Sequence, residues 1–137
     1  MIEVISDLHC LFVNVHIDNI SQKDFLPHAA AFSNTPSDGD NLSSNWCAHC
    51  TPEAALELIG NQKRIKDGMF KDPSKFQIWK FYVSSLRYEV NPSQEVVHNP
   101  TRSNYSHSLI IGNKPKNVSE FRVKMLKAGK WASAPSL

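Results

Sequence analysis

EVVHNPTRSNYSHSLIIG, residues Glu95 to Gly112, sets two β-type runs on either side of a polar loop. Glu95 to His98 and His107 to Ile111 carry Val, Leu and Ile at strand spacing. They are expected to pair as antiparallel neighbours across Asn99–Ser106, which is a long connection for a hairpin. The loop holds Asn, Ser, Thr, Arg and Tyr, and a histidine stands at each end of it. Apolar scaffolding and several chemically able side chains therefore meet within a few residues.

The rest of the chain is read outward from this pair. Residues 1–17 read as β, with Leu11, Val13, Val15 and Ile17 alternating with Phe12, Asn14 and His16. Asp18 to Phe32 is mixed, and Pro27 argues against a regular helix through it. Ser33 to Asn45, SNTPSDGDNLSSN, is almost all turn formers and reads as a long loop. Loops of that length are usually functional. Thr51-Pro52-Glu53 is a helix start, with a capping hydroxyl, a proline at the first helical position and an acid at the positive dipole end. Phe76 to Leu86 is aromatic and β-branched and reads as a central strand. Asn117 to Glu120 has the spacing of a capping box, and Val118, Phe121, Met125 and Ala128 share a face of the helix after it. The sum is an α+β protein with a mainly antiparallel sheet and two principal helices. Residues 1–131 are expected to form a single domain and 132–137 a frayed tail.

Composition narrows the class. With 137 residues the chain is long enough to bury a core without a staple. At 41% hydrophobic and 20% charged it is neither a disordered tail nor a fibrous repeat. A net charge of +2 does not mark a nucleic-acid binder, although the block from Lys114 to Lys130 is basic. No membrane partner is expected, because no apolar run approaches the length of a span. The start carries acids where a leader would be basic, and three cysteines do not close a disulfide framework. A cytoplasmic location follows as the expectation.

Several side chains could carry chemistry. His98 and His107 can act as bases near neutral pH, and Asn104 can orient an amide or phosphate; these are the candidate catalytic residues. Ser43, Ser44, Trp46, Asn99, Arg102 and Tyr105 are candidate binding residues on the two polar segments. The bland alternative is a loop pinned by Asn and His side chains bonding backbone groups. Cys47 and Cys50, running into the helix at Thr51, have the spacing of a dithiol motif, and a thiolate there would be stabilised by unpaired amides. They follow a loop rather than a buried strand, however. Cys47, His49 and Cys50 supply one close pair where structural zinc takes two, so no metal or other cofactor is expected.

Three stretches, FLPHAAAF (Phe25 to Phe32), DGDNLSSNW before TPE (Asp38 to Glu53) and VVHNPTRSNYSHSLIIG (Val96 to Gly112), precede a basic helix ending at Trp131. In that order the chain resembles a group of small bacterial proteins of unassigned function. It is also similar to ADP-ribosyltransferase-type domains, a resemblance that would give roles to His16, to Ser43 or Ser44, and to His98 or Glu95. The Arg or His followed by Gly-Thr of those domains is absent.

The leading functional expectation is a small binding or accessory protein. It would meet a macromolecular partner, a protein first, through residues 33–45 and 98–107. The alternatives are an enzyme on a nucleotide-like substrate using His98 or His107, and a thiol redox protein using Cys47 and Cys50.

Overall fold

The computed structural model describes residues 1–36, 39–115 and 118–133. Six strands form one antiparallel sheet: β1 (Cys10–His16), β2 (Leu42–Trp46), β3 (Phe76–Tyr82), β4 (Glu95–His98), β5 (His107–Ile111) and β6 (Gly129–Trp131). Their spatial order is β4-β5-β2-β1-β3-β6. Two longer helices, α1 (Pro52–Ile59) and α3 (Ser119–Lys127), accompany a short one, α2 (Val83–Tyr88). The fold is α+β.

The expected hairpin is present, with β4 and β5 paired from Glu95–Ile111 to His98–Ser108. The α1 start is as read, since Thr51 accepts the Ala54 amide and Pro52 occupies the first turn. In α3, Phe121 and Met125 are buried and Ala128 closes the same face, while Val118 is half exposed. Asn117, expected as the cap of this helix, lies outside the described residues.

Four expectations are corrected. The strand in residues 1–17 covers only Cys10–His16, because the earlier residues are tied down by side chains instead. The end of Ser33–Asn45, from Leu42, belongs to strand β2, lying between β5 and β1. Its turn-forming composition is overridden by pairing with β5. The run Phe76–Leu86 splits at Val83, where α2 begins and buries Val83 and Leu86 on one helical face. The segment 132–137 is not wholly loose, since the Ala132 amide donates to Ile78 O; residues 134–137 lie outside the described residues.

Register sorts the side chains. Leu11, Val13 and Val15 share a face with Trp46, Trp79, Phe81, Val96 and Ile110. Phe32, Leu86, Phe121 and Met125 pack on that face to complete the main core. The opposite face carries Phe12, Asn14, His16, Ser43, Asn45, Ile78 and His107. Here a small cluster of Phe12, Ile78 and Ala55 of α1 is the apolar part.

The sheet is also forked. β1 pairs with β3 over its whole length, from Cys10–Tyr82 to His16–Phe76. With β2 it pairs only at Leu11–Trp46 and Phe12–Asn45. Beyond those pairs β1 and β2 part company. At the base of the fork, one step further along the ladder, a disulfide joins Cys10 to Cys47.

Candidate functional site

A cleft of about 690 Å³ occupies the fork. Val13, Asn14 and His16 line it from β1, Leu42 to Asn45 from β2, Ser33 and Thr35 from the connection before β2, and Asn104 and His107 from the far side. Such a volume lies in the range of ligand sites. Among the described residues the lining contains no Asp or Glu and one ammonium, Lys71, which donates to Gln62 Oε1.

The polar network is built from β2 outward. Asn45 Oδ1 accepts from Asn104 Nδ2 at 2.7 Å. Ser106 Oγ lies 3.1 Å from Asn45 Oδ1 and 2.6 Å from Asn104 Oδ1, sharing one hydrogen between them. The Thr101 and His107 amides both donate to Asn104 O, so the loop holds itself in shape. The His107 ring is held from both sides. Its Nδ1 lies 2.7 Å from the Asn99 carbonyl oxygen, and its Nε2 lies 2.9 Å from Ser43 Oγ. A carbonyl can only accept, so Nδ1 carries the proton and Nε2 receives the Ser43 hydroxyl.

Two polar atoms in the same lining, Asn14 Oδ1 and Ser33 Oγ, are buried and have no hydrogen-bond partner among the described residues. Buried polar atoms are nearly always paired, and leaving one unpaired costs about 1–3 kcal/mol.

The structure therefore brings Ser43, Asn99, Asn104 and His107 to one place. It sets His98 elsewhere. His98 faces the main core with Ser108, 3% exposed, whereas His107 pairs with Asn45 on the cleft face. His98 Nδ1 accepts the Glu3 amide and Nε2 donates to Tyr105 O. Trp46 is buried beside it and donates Nε1–H to His9. Tyr105 donates to Glu3 Oε2, and His49 Nε2 stands 3.2 Å from the same oxygen. The Tyr105 hydroxyl holds the Glu3 carboxyl below the usual carboxylate range, and Glu3 in turn pushes the Tyr105 phenol up. Together these contacts bind the N-terminal residues to the sheet. Ser44 lies on the main-core face with Trp46 and donates across the ladder to the carbonyl of its paired residue, Ser108 O. Arg102 is exposed and is absent from the cleft lining. Of the residues singled out by the transferase resemblance, His16 and Ser43 line the cleft, while Glu95 is bound to Arg87.

The cysteines sort differently from the dithiol reading. Cys47 is bonded to Cys10, and Cys50 keeps its thiol, which burial pushes up. Among the described residues no group of three His, Cys, Asp or Glu could hold a metal, and no helix is long and apolar enough to cross a membrane.

Sequence reasoning missed Asn14, whereas Ser33 lies in the 33–45 segment expected to meet a partner but was not among its named candidate residues. The one available signal was Asn14 itself, an amide interrupting Leu11-Phe-Val-Asn-Val. No protein-family model, curated protein or solved structure matches the chain.

Proposed function

We propose that the protein is a binding protein whose cleft receives an extended segment of a partner protein. The observation that carries this reading is the fork, with Asn14 Oδ1 and Ser33 Oγ buried inside it and without a hydrogen-bond partner among the described residues. An extended peptide offers alternating N–H and C=O groups, which suits a lining of asparagine and serine that both donates and accepts. Beyond Phe12–Asn45 the β2-facing edge of β1 lies outside the β1–β2 ladder, as a template for added strand pairing. A nucleotide is the weaker ligand class, because among the described residues of the lining its phosphates would meet one ammonium, Lys71.

Selection of random peptides on phage against the immobilised protein tests this. Enriched peptides should bind Asn14→Leu about tenfold or more weakly, the worth of one hydrogen bond to a buried acceptor. Failure to enrich any sequence, or equal binding to the variant, overturns the reading. A cytoplasmic site of action belongs with the proposal. The thiol poise of the compartment decides whether Cys10 and Cys47 are joined there, and differential alkylation in the native cells reads the answer.

A further inference from the structure

Ser43, His107 and Asn99 form a directed chain of hydrogen bonds. The Ser43 hydroxyl donates to His107 Nε2 at 2.9 Å, and His107 Nδ1–H donates to the Asn99 carbonyl at 2.7 Å. The ring is held by these two bonds, with Asn99 Nδ2 3.4 Å from the same Nδ1, while the Asn99 backbone amide donates to His107 O and joins the two backbones. A hydroxyl aimed at an imidazole lone pair, with the other nitrogen held by an acceptor, is the arrangement that activates an oxygen nucleophile. Both Ser43 and His107 are half-buried and line the cleft.

We propose that Ser43 is an acyl-accepting nucleophile and that the protein cleaves carboxylic esters in this cleft. Ser43 Oγ attacks the ester carbonyl carbon while its proton passes to His107 Nε2. The bond to the leaving oxygen breaks, and that oxygen takes the proton from Nε2. The acyl group now sits on Ser43. Water attacks it in turn, giving its proton to His107 Nε2; the bond from the acyl carbon to Ser43 Oγ breaks, Oγ takes that proton back, and the carboxylic acid leaves. No redox step is involved.

The environment sets the substrate class. The imidazolium formed in each half faces the dipole of a backbone carbonyl rather than a carboxylate, so it is less stabilised than in a triad with an acid. That favours esters with good leaving groups over amides. The Asn45 carboxamide stands opposite His107 in the ladder and commits its Oδ1 to Asn104 and Ser106. Its Nδ2 is then the neighbouring donor for a developing oxyanion. Phe12, Leu42 and Phe76 give an apolar lining for the acyl chain.

This activity shares the cleft with the binding proposal but needs no peptide in it, so either can fail while the other stands. The whole protein is treated with a fluorophosphonate-biotin probe and the adduct is mapped by mass spectrometry; p-nitrophenyl acetate hydrolysis is followed in parallel. One adduct on Ser43 is expected. Ser43→Ala should hydrolyse the ester at least about 100-fold more slowly, and His107→Ala should lose labelling and regain some turnover with added imidazole. No adduct, an adduct elsewhere, or wild-type turnover by Ser43→Ala overturns the proposal. Adduct mapping uses the unaltered protein, so a variant that fails to fold does not shield the idea.

Discussion

Lys114 shows how one residue can be both satisfied and strained by its surroundings. Its ammonium donates to Asn34 Oδ1, Ile110 O and Gly112 O, one acceptor for each hydrogen. Burial nonetheless pulls its pKa down from 10.5 to about 8. Between those values the unfolded chain holds a proton that the folded chain has released, so stability rises with pH across that window. Urea unfolding of wild type and Lys114→Met at pH 8 and pH 10 should show the wild type gaining on the variant. At pH 7 the variant should be less stable by about 1–3 kcal/mol, because Ile110 O, which is buried, and the partly buried Asn34 Oδ1 lose the ammonium that donates to them. Asn14 is the opposite case. Its buried Oδ1 has no partner among the described residues, so Asn14→Leu should hold or raise the unfolding midpoint while it weakens ligand. A fall of several kcal/mol would instead place Asn14 among the structural residues.

At the scale of elements, what could be read from the chain depended on whether local chemistry and tertiary pairing agree. In α1, Thr51, Pro52 and Glu53 act within one turn, and β4 and β5 carry Val, Leu and Ile at strand spacing, so both were legible. Strand β2 was not. Leu42-Ser-Ser-Asn-Trp46 has the composition of a turn, and its strand form comes from partners remote in sequence, Ile110 to His107. The site suffered from the same blindness to register. His98 pairs with Ser108 rather than with His107, a shift of one residue that sends the two imidazoles to opposite faces. Asn104 and Ser43 reached the expected neighbourhood because both belong to the polar segments that flank the fork. Edge strand β6 makes its own demand. A Cβ on Gly129 would lie 2.5 Å from Trp79 Nε1 and would also run into Lys80 O, so only glycine lets β6 approach β3. Gly129→Ala should cost about 1–3 kcal/mol by urea denaturation, with loss of the Trp79–Trp131 contact visible in near-UV circular dichroism.

For the whole molecule, the fork divides the sheet into β4-β5-β2 and β1-β3-β6. Two residue pairs and the Cys10–Cys47 disulfide bridge the line between them. The bond closes a sequence separation of 37 residues, for which the loss of unfolded-state freedom is worth about 3–4 kcal/mol. Cys10→Ala, or reduction of the wild type, should lower stability by up to that amount. It should also weaken peptide binding, because the fork loses the support at its base; unchanged affinity in a destabilised variant would show the cleft to be shaped without the bond.

The fork has a mechanical consequence. Loaded in tension across β1 and β2, the sheet would resist chiefly through a covalent tether at one end of a short seam. Single-molecule pulling through those strands should meet a firm stop when the sulfurs are joined. After reduction the seam should unzip at low force, and the halves should separate before either half unravels.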